Sequence, residues 1–170
     1  MSHPPPFWAR KTQVRRMRLA LYQPDIPQNT GTILRLAACL GVPVDIIGPA
    51  GFDMSDRNLR RAGLDYIAHV DLTRHLSWES FISAHRAQGA ARLVLLSSKA
   101  ATPLTAFTFS ESDTLLLGRE SAGVPDAVRD ACEAAVVIPI RPPLRSLNVA
   151  IAAAMVLGEA LRQTGGYPAL

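Results

Sequence analysis

Three separate segments of this chain bring polar side chains to the start of a predicted helix. They are PQNTG at 27–31, which leads to Arg35, LGRESAGVP at 117–125, and RPPLRSLN at 141–148. The first turn of a helix leaves backbone N–H groups unpaired, so polar side chains held there can meet a ligand. The three segments together therefore indicate a binding site for a polar ligand.

The third segment is a loop stiffened by prolines at the entrance of an apolar helix. Its prolines, cations and helix-entrance residues are Pro139, Pro142, Pro143, Arg141, Arg145, Ser146 and Asn148. The helix predicted next, Val149–Gln163, is apolar on nearly every side, so we expect it to be buried. The alternative interpretation of Ser146 is an ordinary helix N-cap.

Taken singly, the other two segments have ordinary structural explanations. Asn29 and Thr30 are typical N-cap residues, and Gly31 allows a close backbone approach. Arg35 alone fits a solvated side chain, and Glu120 alone fits a surface carboxylate. The 117–125 segment is neither a GxGxxG fingerprint nor a Walker loop, because it lacks the glycine spacing of the first and the GK[ST] of the second.

Short β-rich runs alternate with helical patterns along the chain. The predicted strands are Arg18–Tyr22, Val44–Ile47, Tyr66–Val70, Leu93–Leu96, Thr114–Leu117 and Val136–Ile140. The predicted helices are Thr30–Leu40, Asp56–Arg61, Trp78–Gln88, Asp126–Ala131 and Val149–Gln163. This alternation predicts an α/β fold, a mostly parallel six-stranded sheet with helices on both faces. Ligands bind beyond the carboxyl ends of such strands, where Asn29, Glu120 and Ser146 all fall.

Composition and charge indicate one folded domain at 17–170. Hydrophobic residues make up 48% of the chain and charged residues 19%, as in globular proteins. Four basic residues lie in the acid-free segment 1–16, which leaves 14 basic and 14 acidic residues in the rest. The net charge of +4 therefore gives no argument for nucleic-acid binding by the domain. Segment 1–16 is either a disordered basic arm or lies before a natural start at Met17.

The remaining chemistry-bearing residue types give no sign of a metal. Cys39 and Cys132 lack metal-ligand spacing, and we predict buried free thiols in a reducing cytoplasm. The four histidines have no carboxylate or cysteine partner at ligand spacing, so we expect no metal. They are His3, His69, His75 and His85.

No apolar stretch reaches the roughly 20 residues of a membrane span, so we expect no membrane association.

Four stretches together resemble the SPOUT superfamily of RNA methyltransferases, whose members have a C-terminal trefoil knot. They are LYQPDIPQNTGTILRLAACLG at Leu21–Gly41, RNLRRAGLDY at Arg57–Tyr66, LLGRESAGVP at Leu116–Pro125 and the run at Ile138–Gln163. They are most similar to the subfamily that methylates the ribose 2′-hydroxyl of the tRNA wobble nucleotide. One departure is Ser121-Ala122, where close relatives often carry Thr-Arg.

The resemblance implies S-adenosylmethionine as the methyl donor, and no metal. By the same resemblance, main-chain groups of four residues hold its adenine: Leu96, Gly118, Ile138 and Ser146. Adenine has hydrogen-bonding edges and apolar faces, which suit backbone groups at the ends of apolar strands. The implied catalytic set has Arg35 acting at the 2′-hydroxyl and four orienting residues: Asn29, Glu120, Ser146 and Asn148.

The resemblance also implies partners. It indicates a homodimer built across the first and last helices, and the anticodon stem-loop of a tRNA as substrate. Within that substrate the target is cytidine or a modified uridine at the wobble position, mainly in leucine tRNAs. Candidate contacts to RNA are Arg57, Arg60, Arg61, Arg119 and Arg145.

Three other functions stay open from the residues alone. They are a methyltransferase for another tRNA or rRNA nucleotide, a non-catalytic knotted RNA-binding protein and a dinucleotide-dependent dehydrogenase. The missing glycine fingerprint argues against the dehydrogenase. The presence of both Asn29 and Arg35 argues against a non-catalytic protein.

Overall fold

The computed structural model describes residues 16–89 and 91–170, so the predicted N-terminal arm lies outside it except for Arg16. The strands are β1 (Arg18–Tyr22), β2 (Val44–Ile47), β3 (Leu72–His75), β4 (Leu93–Leu96), β5 (Thr102–Pro103), β6 (Thr114–Leu117) and β7 (Ala134–Val137). The helices are α1 (Pro27–Leu40), α2 (Arg57–Gly63), α3 (Trp78–Ala87), α4 (Asp126–Asp130) and α5 (Val149–Thr164), with 3₁₀ turns at Leu64–His69 and Leu104–Ala106.

The strands form one sheet in the order β3-β2-β1-β6-β4-β7-β5, and every neighbouring pair is parallel. Successive strand residues point to opposite faces. Leu19 and Leu21 face a core shared with α1 and α5, while Ala20 and Tyr22 face a second core shared with α3 and α4. Helices therefore cover both faces of a parallel sheet, as predicted.

The prediction of six strands was wrong, because the sheet has seven. The predicted strand Tyr66–Val70 is a 3₁₀ helix, and the strand beside β2 begins later, at Leu72. The pattern favoured a strand there because Tyr, Ile and Val are all enriched in strands, and this local preference was overridden by the packing of the folded chain. β5 is only two residues long and contains a proline, so its sequence carries almost no strand signal.

Helix α1 begins three residues before the predicted start. Ile26 occupies the N-cap position without a side-chain cap, and Pro27 takes the first turn, where its missing N–H is no loss. The expectation that Asn29 or Thr30 caps this helix was therefore wrong. Gly31 does allow a close approach: a Cβ there would lie 2.4 Å from the carbonyl oxygen of Leu59, so α1 and α2 pack backbone to backbone.

Helix α5 is buried on one side only, which corrects the expectation of complete burial. Ala153, Val156, Leu157 and Ala160 are nearly inaccessible and lie in the core. On the opposite side Ile151 is 54% exposed and Met155 44% exposed. An apolar strip of this helix therefore faces outward from the single chain.

Two smaller expectations also change. Cys39 is exposed on α1, so only Cys132 is partly buried as expected; burial and the neighbouring Glu133 raise the pKa of its thiol to about 12. His75 does have a carboxylate partner, because its Nε2 lies 2.8 Å from Asp45 Oδ1. The two residues are 30 positions apart and meet only through pairing of β2 with β3, so their spacing in the sequence could not reveal the contact.

Among residues 16–89 and 91–170, no helix is long and apolar enough to cross a membrane.

Candidate active site

The three polar segments meet at one edge of the sheet. The ends of β1, β6, β4 and β7 lie side by side, since these strands are successive neighbours in the sheet. The segments that follow β1, β6 and β7 carry Asn29, in the first turn of α1, Glu120, and Asn148. The predicted convergence holds for Asn29 and Glu120, but the third segment meets them through Asn148, whereas the prediction named Ser146.

A chain of directed hydrogen bonds links them. The Nδ2 of Asn148 donates to Asn29 Oδ1 at 2.9 Å, and the Nδ2 of Asn29 donates to Glu120 Oε1 at 3.4 Å. The amide of Asn29 therefore uses its oxygen on one side and its nitrogen on the other. We refer to Asn148, Asn29 and Glu120 as the amide relay.

Asn148 is also the N-cap of α5, a role that the sequence left open for Ser146. Its Oδ1 accepts from the backbone N–H of Ala150 at 2.8 Å and of Ile151 at 3.4 Å. Ser146 lies exposed in the preceding loop. One side chain therefore both starts the C-terminal helix and ends the relay.

Sequence reasoning missed Asp25, which joins the relay at its other end. Its carboxylate accepts from the backbone N–H of Glu120 at 3.2 Å and from the Ser121 hydroxyl, and its own N–H donates to Glu120 Oε2 at 3.1 Å. The available signal was a lone acid between two prolines, Pro24 and Pro27, which is typical of an ordinary turn. Nothing in that signal pointed across 95 residues to Glu120.

The two carboxyl groups differ in their affinity for protons. Burial raises the pKa of Glu120 above its usual range, and its hydrogen bond with the Asp25 side chain raises it further. That same hydrogen bond lowers the pKa of Asp25, helped by the Ser121 hydroxyl and the charge of Arg119. Asp25 is therefore the group that stays ionised, and Glu120 is the group that takes up a proton first.

Arg119 lies beside this pair rather than freely in solvent. Its Nε is 3.7 Å from Asp25 Oδ2, too far for a hydrogen bond, and that nitrogen is buried without a hydrogen-bond partner. The side chain is 39% exposed. Part of the guanidinium is therefore still available to an outside anion.

Arg35, the residue expected to act at the acceptor hydroxyl, is oriented by a contact of its own rather than by the relay. It lies exposed on α1, with its guanidinium carbon 4.7 Å from the centre of the Tyr66 ring. Tyr66 sits in the 3₁₀ helix after α2, and α2 packs closely on α1 at Gly31. Tyr66 therefore forms a cation–π contact that orients this arginine.

The expected adenine-binding positions lie at adjacent strand ends. Leu96 ends β4, Gly118 follows β6 and Ile138 follows β7; the register pairs Leu96 with Leu117 and with Val136. A side chain at 118 would lie 2.8 Å from Gly123, so only glycine fits this turn. Leu96 and Ile138 are partly buried against the α5 core. Apolar walls beside main-chain polar groups suit an adenine ring.

The remaining candidate arginines lie on the surface. Arg57, Arg60 and Arg61 are exposed on α2, and Arg145 is exposed in the loop before α5. None of the four forms an ion pair within the part of the chain that the structure describes. In that same part, no group of three or more His, Cys, Asp or Glu residues could hold a metal ion.

Comparison with known proteins adds independent information. Residues 16–158 match the model of the SpoU rRNA Methylase family. A protein of Beijerinckia indica named tRNA (cytidine(34)-2'-O)-methyltransferase is 65% identical over 147 residues, which is 86% of this chain and 91% of that protein. A protein of the same name from Escherichia coli strain K12 is 40% identical over 154 residues, 89% of this chain and 96% of that protein.

Solved structures agree in fold. One, described as structural insights into the 2-OH methylation of C/U34 on tRNA, has a TM-score of 0.82 and 44% identity, covering 88% of this chain and 96% of its own. The SpoU methyltransferase AviRb from Streptomyces viridochromogenes, in complex with the cofactor AdoMet, has a TM-score of 0.79 and 30% identity, covering 88% of this chain and 60% of its own.

Proposed function

Because this chain belongs to the SpoU rRNA Methylase family, we propose that it methylates the ribose 2′-hydroxyl of the tRNA wobble nucleotide, using S-adenosylmethionine. The support for this substrate is the 65% identity to a protein named for cytidine 34 of tRNA. The observation that carries the proposal is the amide relay, since its three residues come from the segments that follow three different strands and meet at the edge where such sheets bind ligands. Cytidine or a modified uridine in leucine tRNAs is the expected target.

When bound, S-adenosylmethionine supplies a methyl group already activated by its sulfonium centre. The protein must then align the acceptor oxygen with the methyl–sulfur bond, and alignment of this kind can contribute roughly 7–11 kcal/mol. We assign this orienting role to Asn29, Glu120 and Asn148, whose side chains fix one another. Ser146 would help to hold the loop that carries Asn148.

We assign Arg35 a charge-binding role. Guanidinium stays protonated at any physiological pH and only donates hydrogen bonds, so it cannot take the proton from the hydroxyl. It can bind the neighbouring phosphate or the developing alkoxide, with a phosphate oxygen accepting the proton. Arg35→Ala should abolish methyl transfer while cofactor affinity stays near that of the wild type. Arg35→Lys should also be slow, because an ammonium lacks the bidentate fork.

The methyl donor would be held by main-chain groups of Leu96, Gly118, Ile138 and Ser146. Its adenine would lie against the half-buried Leu96 and Ile138 side chains. In this arrangement the C-terminal segment passes through a trefoil knot, as in the SPOUT superfamily that the chain resembles. The donor site and the amide relay then share the same edge of the sheet.

The anticodon stem-loop would lie across the exposed arginines. Arg57 and Arg60 are three residues apart on α2 and share a face, so together with Arg61 they suit a line of phosphates. Arg145 and the exposed part of Arg119 would extend these contacts towards the relay. Arginine at 119 would also compensate for the missing arginine at Ala122.

A homodimer would cover the outward apolar strip of α5. Ile151 and Met155 are the large members of that strip, and Ile26 at the start of α1 is 40% exposed. Because the relatives named for tRNA (cytidine(34)-2'-O)-methyltransferase are bacterial proteins, we place this protein in the cytoplasm.

Mass spectrometry of tRNA nucleosides from cells with and without this protein tests the proposal. Loss of 2′-O-methylcytidine at the wobble position is expected when the protein is absent. An unchanged wobble nucleoside, with a 2′-O-methyl group lost elsewhere in tRNA or rRNA, would reassign the substrate. No lost methyl group at all would favour a non-catalytic RNA-binding protein.

A further inference from the structure

Asp25 holds both the backbone and the side chain of Glu120. The carboxylate of Asp25 accepts from the Glu120 N–H at 3.2 Å, and the Asp25 N–H donates to Glu120 Oε2 at 3.1 Å. The other carboxylate oxygen of Glu120 accepts from Asn29 at 3.4 Å. Both oxygens of Glu120 are therefore engaged by the loop and helix start that follow β1, so its orientation is set from that side.

Asp25 itself has little freedom to move. The backbone N–H of Gly51 donates to the Pro24 carbonyl at 2.8 Å, and a Cβ at position 51 would lie 2.9 Å from the Asp25 Cβ. The loop after β2 therefore packs directly against Asp25. The Ser121 hydroxyl and the charge of Arg119 approach its carboxylate from the loop after β6.

The turn that carries Gly118 has a separate support. Arg119 and Gly123 exchange two backbone hydrogen bonds, at 2.9 Å and 2.8 Å, which close the base of the loop. These bonds do not involve Asp25. Removing the Asp25 side chain should therefore loosen Glu120 while the main chain at Gly118 stays in place.

We propose that Asp25 is a positioning residue for the methyl transfer, acting through Glu120 to hold the amide relay in its working arrangement. This rests on the proposed function. Asp25 need not touch the substrate, because it acts by fixing Glu120. Its loss should lower kcat, with the affinity for S-adenosylmethionine and the KM for tRNA little changed.

The test compares Asp25→Ala with Asp25→Asn in the full-length protein. The alanine variant loses the acceptor for the Glu120 N–H, and we expect kcat to fall about tenfold or more, the usual size of a lost hydrogen bond to a charged group. The asparagine variant keeps an acceptor oxygen and should recover part of the rate. Asp53→Asn is the matched control, because Asp53 also accepts from a backbone N–H and a serine hydroxyl, both of Ser55, in an exposed turn.

A double-mutant cycle with Glu120→Ala separates a role through Glu120 from a general loss of structure. If Asp25 acts through Glu120, Asp25→Ala should cost no further rate in the Glu120→Ala background. Equal losses in both backgrounds, an Asp25→Ala enzyme at full rate, or a parallel loss of S-adenosylmethionine binding would each overturn the proposal.

Two further outcomes are distinguishable. Where Asp25→Ala does not fold, Asp25→Asn takes its place in the cycle. The loss of rate caused by Asp25→Asn should then be absent in the Glu120→Ala background. An Asp25→Asn enzyme at the full wild-type rate would contradict the proposal. A wild-type protein that transfers no methyl group to tRNA would instead refute the proposed function, and Asp25 would not be the cause.

Discussion

Asn148 performs two tasks that substitution can separate. Its Oδ1 caps α5 by accepting from the backbone N–H groups of Ala150 and Ile151, while its Nδ2 donates to Asn29. Asn148→Ala removes both contacts. Asn148→Asp keeps the capping oxygen, and its negative charge is favourable at a helix N-terminus, but it has no hydrogen to donate to Asn29.

The expected magnitudes follow from these contacts. Loss of an N-cap typically costs about 1 kcal/mol, which lowers the melting temperature of a domain of this size by roughly 2–4 °C. Asn148→Ala should show this loss, and Asn148→Asp should melt at or above the wild-type temperature. Both variants should nevertheless lose activity, by about fivefold or more for one hydrogen bond worth ~1 kcal/mol.

The relay cannot repair itself in the aspartate variant. Rotating the Asn29 amide would present its nitrogen to the new carboxylate but would turn its oxygen towards Glu120 Oε1, which accepts the existing hydrogen bond at 3.4 Å. With Glu120 ionised, as in an assay run well above its pKa, one acceptor–acceptor contact therefore remains in either orientation. Thermal unfolding followed by circular dichroism, and methyl transfer to tRNA measured on the same preparations, give the two readouts. A fully active Asn148→Asp enzyme would refute the relay, and equal melting temperatures for the two variants would refute the cap.

Three other predictions concern the surroundings of the relay. Tyr66→Leu should slow methyl transfer and Tyr66→Phe should not, because the aromatic ring is what forms the cation–π contact with Arg35. Equal kcat values for the leucine and phenylalanine variants would contradict this. Arg60→Ala should weaken tRNA binding and flatten its dependence on salt, with a slope smaller by about one in a plot of log affinity against log salt; an unchanged slope would exclude a phosphate contact. The pKa of Asp25 is lowered from 3.8, so its ionisation stabilises the fold above that pH, and this contribution is lost as the pH falls through its folded-state pKa. The difference in the free energy of unfolding between the wild type and Asp25→Asn, measured by urea unfolding, should therefore become smaller below pH 3.8. A difference that does not change with pH would show that ionised Asp25 is not what stabilises the wild type.

The sequence was sufficient to predict the central sheet and the convergence of its loops. Strands such as Leu93–Leu96 and Thr114–Leu117 are largely apolar, and such runs between helical patterns indicate strands buried on both faces. Because parallel strands place their carboxyl ends at one edge, the sequence predicted that Asn29 and Glu120 share that edge, but the pairing of β1 with β6 that makes them neighbours was not predicted.

Other features depend on long-range contacts that no local pattern encodes. The sequence around Tyr66 is typical of a strand, but the chain there forms a 3₁₀ turn that brings the ring against Arg35, beside the close packing at Gly31. Asp25 lies in an ordinary-looking turn, and its function in the fold emerges only when the loop bearing Glu120 lies against it. The side of α5 that the single chain leaves exposed could not be assigned from its sequence, because hydrophobicity predicts that a surface is covered without saying whether the same chain covers it.

Methyl transfer by the purified protein to two matched anticodon stem-loops is the most direct measurement. One RNA carries cytidine at the wobble position and the other carries 2′-deoxycytidine there, which removes only the acceptor hydroxyl. We expect label from S-adenosylmethionine on the ribose of the first RNA and none on the second. Equal labelling of both RNAs, or no labelling of the first by a protein that binds S-adenosylmethionine, would contradict 2′-O-methylation of the wobble nucleotide.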